Sequence, residues 1–156
     1  MIDNKKLSAD DLISILKLQP HPEGGAFRET YRSIIPAQVR DVRSVCTAIY
    51  FLIRQSQTTA WHRVKSDEIY HFYYGAPIEL ALISPDGNFS KHILCTDVKS
   101  GERPQIMVPA NYWQSARSLG AFTLIGCTVS PGFDFLDFEM ITIEKLEKMF
   151  PQLKLA

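Results

Sequence analysis

Between residues 26 and 130 the chain is a succession of short, β-prone segments divided by turn residues. No other feature limits its possible folds so strongly. Segments near 26–33, 43–54, 60–64, 68–74, 78–84, 89–95, 105–109, 112–118 and 121–130 are rich in Val, Ile, Thr, Tyr and Phe. β-Branched and aromatic side chains suit a pleated surface, whereas Gly, Pro, Asn and Asp punctuate it. Some eight to ten strands at this spacing predict a sandwich or barrel. Ser84-Pro-Asp-Gly-Asn88 reads as a hairpin turn, because Pro fixes one φ and Gly or Asn accepts a positive one. Ile78–Ile83 and Phe122–Cys127 are apolar on both faces, so they are expected between layers or under a partner subunit.

Helices are predicted only at the two ends. Residues 8 to 18 carry Ser8 as N-cap, Asp11 three positions later, and Leu12, Ile15 and Leu16 on one face. Pro20 and Pro22 stop this helix, and Pro22-Glu-Gly-Gly25 forms a turn. Asp134–Phe138 reads as a short extended piece. Thr142 then caps a closing helix that ends at Pro151.

A chain of 156 residues is most simply one domain, 1–156. Lys plus Arg and Asp plus Glu balance at 17 each, which weighs against a nucleic-acid partner. Arg28, Arg32, Arg40 and Arg43 form a local basic group that reads as solvated surface. The three cysteines, Cys46, Cys95 and Cys127, form no C-x-x-C pair and read as packing residues. Their odd number, with no signal peptide, favours a reducing compartment and a cytoplasmic protein. No apolar run approaches the roughly 18 residues that span a bilayer, so no membrane partner is expected.

The chemistry concentrates in His62-Arg-Val-Lys-Ser-Asp-Glu68-Ile-Tyr-His-Phe-Tyr-Tyr-Gly75. Read as a hairpin with Lys65-Ser-Asp67 as its loop, the segment pairs Val64 with Glu68 and His62 with Tyr70. Alternation then puts His62, Val64, Glu68, Tyr70 and Phe72 on one face. Trp61, Arg63, Ile69, His71 and Tyr73 take the other. His62 and Glu68 become diagonal neighbours, about 7–8 Å apart in backbone. Such a pair on an apolar, aromatic face is costly unless satisfied.

These residues resemble the cupin superfamily of small jelly-roll barrels. The first cupin motif, H-x-H-x3-E-x6-G, maps onto His62, Val64 in place of the second His, Glu68 and Gly75. The second is echoed by Pro109-Ala-Asn111-Tyr-Trp-Gln114, with Asn111 for its turn Gly and Gln114 for its His. Asn tolerates the left-handed backbone such a turn requires. Pro22–Gly25, Arg28–Tyr31, Trp61-His62, Asp67-Glu68 and Pro131–Phe135 further resemble a family of small, largely uncharacterised cupins. The resemblance implies an all-β cupin-type double-stranded β-helix, a jelly-roll barrel over about 26–140 with short terminal helices. It also implies a homodimer, but no particular reaction.

Three functions stay open. The first is a metal-dependent cupin enzyme, for which the resemblance would assign His62, Glu68 and Gln114 as ligands. Val64 cannot ligate, and an amide is a weak donor to metals that prefer imidazole. The second, favoured here, is a metal-free, cofactor-free pocket for a nucleotide, sugar or nucleotide-sugar-like molecule. Metal-free nucleotide-sugar epimerases share this jelly roll and use a His base and a Tyr acid. In that reading His62 is the base, oriented by Glu68, with Tyr70 or Tyr112 as acid. Val64, Phe72, Tyr112, Gln114 and Glu29 would contact ligand, and the Glu23–Thr30 segment would add a wall or an ordinary edge strand. The third is a non-catalytic interaction module with Trp61, His71 and Tyr73 at a dimer interface. His21 and His92 read as loop and edge residues, and Asp134 and Glu139 as turn or surface residues.

Overall fold

Side-chain alternation, with a capped helix at each end, accounts for most of the architecture. The structure, a computed structural model, describes residues 6–38 and 42–155. Arg40 lies outside them. Helix α1 (Ala9–Leu16) starts at Ser8, whose hydroxyl accepts from Asp11 N–H while the Asp11 carboxylate takes Ser8 N–H. The strands follow as β1 (Gln19–Pro20), β2 (Ala26–Arg32), β3 (Pro36–Gln38), β4 (Val42–Ser44), β5 (Thr47–Arg54), β6 (His62–Arg63) and β7 (Asp67–Gly75). After them come β8 (Ile78–Ile83), β9 (Phe89–Leu94), β10 (Gln105–Val108), β11 (Trp113–Ser118), β12 (Phe122–Ser130) and β13 (Glu139–Met140). Helix α2 (Ile143–Met149) closes the chain, N-capped by Thr142 as expected.

One sheet runs β1-β2-β5-β12-β7-β10 and the other β13-β6-β11-β8-β9, with β3 and β4 forming a separate two-stranded ribbon. The two sheets face each other as the expected all-β jelly roll. Their inner faces meet in a core that includes Phe51, Ile53 and Ile125 from one sheet and Ile78, Leu80 and Ala116 from the other. Burying these side chains contributes about 1.5–3 kcal/mol each. The strands that are apolar on both faces are covered outside by helices. Leu52 and Leu124 lie under α1 with Leu12 and Leu18, and Ile83 and Trp113 lie under α2 with Leu146 and Phe150. Trp61 packs against this second cluster and stays partly exposed.

The hairpin expected across Lys65–Asp67 does not form. β6 pairs with β11 and β13, whereas β7 pairs with β12 and β10. The chain crosses from one sheet to the other at residues 64–66, and His62 faces Glu68 across the interior. The inward set survives because parity is preserved: His62, Val64, Glu68 and Tyr70 are buried and Phe72 packs on the core. Asn111 holds the second motif's turn at φ 68. Asp134–Phe138 is not extended. Phe135–Asp137 form a 3₁₀ turn whose first free N–H, on Leu136, is taken by the Asp134 carboxylate. The arginines expected as a solvated group make defined contacts. Arg28 donates to the Leu16 carbonyl, Arg32 to Glu29 and Arg43 to Asp137. Among the described residues no helix is long and apolar enough to cross a membrane.

Candidate functional site

One end of the barrel interior is hollow, with a cavity of about 250 Å³. Besides β2, β5 and β12, it is lined by the turn before β2, β6, the start of β7, and the stretch after β12. The turn is the decisive one. Gly24 and Gly25 have φ of 103° and 77°, which side-chain-bearing residues rarely adopt. A Cβ on Gly25 would stand 2.8 Å from the Leu52 carbonyl. The glycines thus let the turn press onto β5 and drive Glu23 inward, where only 9% of its surface is exposed. Ala60 N–H donates to the Glu23 carbonyl at 2.7 Å and fastens the turn to the approach to β6.

Glu23 meets His62 there. His62 Nδ1 lies 2.8 Å from the Ala60 carbonyl, which can only accept, so Nδ1 carries a proton. Its Nε2 lies 3.2 Å from Glu23 Oε2. With Nδ1 occupied, Nε2 and Oε2 require one shared proton between them. Burial lowers His62 to a pKa of about 4, with the Ala60 carbonyl opposing. Burial and then the Glu68 charge raise Glu23 well above the usual carboxylate range. Both directions put the shared proton on Glu23. His21 completes the group. Its Nδ1 accepts from Glu23 N–H at 3.3 Å, and burial lowers it to about 4.

Glu68 occupies the opposite wall. Burial raises its pKa, while bonds from Gln114 and Cys127 pull the other way. Gln114 is fully buried and spans the two sheets: its amide NH₂ donates to Glu68 Oε2 at 2.8 Å, and its carbonyl accepts from the Tyr70 hydroxyl at 2.8 Å. Burial, then the Glu68 charge, holds Tyr70 protonated.

Of the residues singled out from the sequence, His62, Glu68, Val64 and Glu29 line the cavity. Tyr70 and Gln114 sit behind Glu68, and Phe72 and Tyr112 pack on the filled core; none of these four lines the cavity. The Tyr70 proton is already committed to Gln114. Sequence reasoning missed His21, which is a cavity residue and not a loop bystander, and it set Glu68 beside His62, where the structure has Glu23. The signal for both lay in the paired glycines beside Glu23. Asp134 also lines the cavity, as do Phe133, Phe135 and Phe138, which form its aromatic wall. That wall is tied down by Phe133 N–H to Thr47 Oγ1 at 2.9 Å and by Arg32 Nη1 to the Phe133 carbonyl at 3.1 Å. His71 is on the outer face, where Thr128 and Gln105 bond its ring nitrogens.

The donors present do not fit the metal that the cupin resemblance allows. Val64 offers none, both ends of the Gln114 amide are engaged with Glu68 and Tyr70, and His62 is held between Ala60 and Glu23. Among the described residues, no group of three or more His, Cys, Asp or Glu side chains could hold a metal ion.

Residues 10–141 match the family model described as Cupin superfamily (DUF985). A hypothetical protein from Leishmania major superposes with a TM-score of 0.90 and 30% identity, covering 96% of each chain. A protein of Shewanella oneidensis gives 0.87 and 39% identity over 94% of this chain and 92% of the other. An uncharacterised protein of Saccharomyces cerevisiae is 29% identical over 148 residues, 83% of this chain and 73% of that protein.

Proposed function

The chain belongs to the cupin superfamily, in the DUF985 family, and from that premise we propose that it binds a small molecule in the hollow end of its barrel and acts on it, without a metal, through the Glu23–His62 proton. One observation carries this reading: a carboxyl and an imidazole face each other 3.2 Å apart at the polar end of an aromatic-walled cavity. A buried, mutually oriented acid–base pair is what proton transfer to a bound molecule requires. The pair takes the place of the couple expected from the sequence, His62 with Tyr70 or Tyr112. The volume of about 250 Å³ lies below the usual roughly 300–1,000 Å³ of ligand pockets. It suits a single ring such as a sugar, and not a whole nucleotide sugar.

Thermal-shift screening of sugars, sugar derivatives and nucleotides tests this. A ligand at about 100 times its dissociation constant adds roughly 2.7 kcal/mol to stability. Glu23→Gln, which keeps the shape and removes the transferable proton, abolishes turnover while leaving binding measurable. A ligand that stabilises wild type and is turned over equally by Glu23→Gln would sink the acid–base role.

The outer face of the six-stranded sheet favours a second property, self-association as a homodimer. Tyr73 is 50% and Met107 53% exposed there. Sedimentation of Tyr73→Glu against wild type checks it: loss of a dimer is expected, and a monomeric wild type ends the idea.

A further inference from the structure

The identity of the ligand can be narrowed by charge, granting the proposed role of the cavity. Four carboxyl side chains line it, Glu23, Glu29, Glu68 and Asp134, against one cation among the described residues, Arg32. That guanidinium is already committed. Its Nε and Nη2 donate to Glu29 at 3.0 and 2.7 Å, and Nη1 donates to the Phe133 carbonyl. The two lining histidines add no positive charge near neutrality, since burial lowers both to about 4. Glu68 is answered by a neutral amide. The buried end of the cavity therefore holds acid without a compensating cation. Glu23 keeps its proton for want of a partner charge, so a basic amine that enters takes that proton and leaves an ammonium beside a carboxylate, a pairing that the low dielectric strengthens.

The aromatic wall points the same way. Phe133, Phe135 and Phe138 have centroids 4.9, 6.0 and 6.0 Å apart pairwise, with interplanar angles of 83°, 65° and 83°. Three steeply inclined rings make a corner and not a stack. His21 extends it by stacking on Phe135 at 6.1 Å. Phe135 remains 54% exposed, an unusual position for a ring whose only task is core packing. Aromatic faces carry negative quadrupole density, and cations within about 6 Å are attracted to them. Phosphates and free carboxylates are disfavoured by the same lining.

We infer that the ligand is a small organic cation, an ammonium on a body of about one ring, with its charge toward Glu23 and Glu68 and its carbon substituents in the Phe133–Phe135–Phe138 corner. A divalent ion is the weaker candidate, because no group of three or more His, Cys, Asp or Glu side chains placed to hold one exists among the described residues.

Matched pairs of probes test the charge separately from the pocket. Isothermal titration of the full chain would compare glucosamine with glucose, benzylamine with benzyl alcohol, and glucose 6-phosphate as the anion. The ammonium member of at least one pair should bind roughly tenfold more tightly than its neutral partner and weaken as salt is added. Glu23→Gln should remove that preference. Phe135→Leu, at an exposed position that the fold tolerates, should weaken the amine several-fold and keep the melting temperature. A neutral probe binding as tightly as its amine, or glucose 6-phosphate binding more tightly than glucosamine, overturns the charge assignment and leaves the pocket standing. Silence from every probe overturns both.

Discussion

The two ends of the barrel interior are built from the same strands and differ completely in character. On β7 the inward positions run from Glu68 to Tyr70 to Phe72, and on β12 from Val129 and Cys127 to Ile125. At the hollow end Glu68, Cys127 and Val129 line the cavity. A few ångströms further along, Ile125, Leu80, Ile78 and Ile53 are wholly buried against one another. The filled end is held by apolar packing, and the hollow end by a small number of hydrogen bonds that each satisfy a buried polar group. Gln114 is where the two regimes meet, since it ties Glu68 of one sheet to its own strand in the other. The contrast teaches that stability and chemistry are segregated along the barrel axis, so substitutions at the two ends should fail differently.

The largest expected effect is at the filled end. Leu80→Ala should cost about 2–5 kcal/mol, as large-to-small core changes do, whereas Val64→Ala beside the cavity should cost at most about half as much. Urea midpoints measure both, and equal losses would break the comparison. Next, Gln114→Leu keeps the volume but strands the Tyr70 hydroxyl and the Glu68 carboxyl in the interior. A loss of about 1–3 kcal/mol is expected, and a neutral or stabilising result would show that water replaces the amide.

The pH dependence comes third and sharpens the account of the polar end. Unfolded His21 and His62 take protons near their ordinary value of 6.5, but folded ones only near 4. Between those values the unfolded chain binds more protons, so stability falls as pH drops from about 6.5 toward 4. Glu23 and Glu68 act oppositely. Their folded pKa values lie above the ordinary 4.5, so the stability of the buried protonated forms is lost as pH rises through those folded values. Melting temperature against pH should therefore pass through a maximum, and Glu23→Gln should flatten its alkaline side. An unchanged alkaline limb in that variant would remove Glu23 from the account. The smallest expected effect on stability is that of Phe135→Leu, within about 0.5 kcal/mol, as for other exposed positions.

Much of this was legible in the residues themselves. Ser8 and Asp11 announced α1, Ser84-Pro-Asp-Gly-Asn88 announced the β8–β9 turn, and Asn111 announced its left-handed backbone. The inward set around His62 and Glu68 was also readable, because alternation survives whichever strand a segment pairs with. Sheet membership was not. Three residues between His62-Val64 and Glu68 fit a tight hairpin as well as a crossover, and only the partners β11 and β12 decide between them. The aromatic wall escaped for a similar reason. Phe133 and Phe135 alternate as a strand would and Phe138 breaks that parity, but the Asp134 carboxylate captures Leu136 N–H and coils the segment so that all three line the cavity.

The amino-acid sequence by itself determined most of the strands and turns, the two helices and the inward set around His62 and Glu68, because these depend on steric and hydrogen-bonding preferences within a few residues. Tertiary structure alone decided that Glu23, and not Glu68, lies against His62 Nε2. That contact joins a turn before β2 to β6 through Ala60. Its electrostatics depend on burial, which the rest of the barrel supplies.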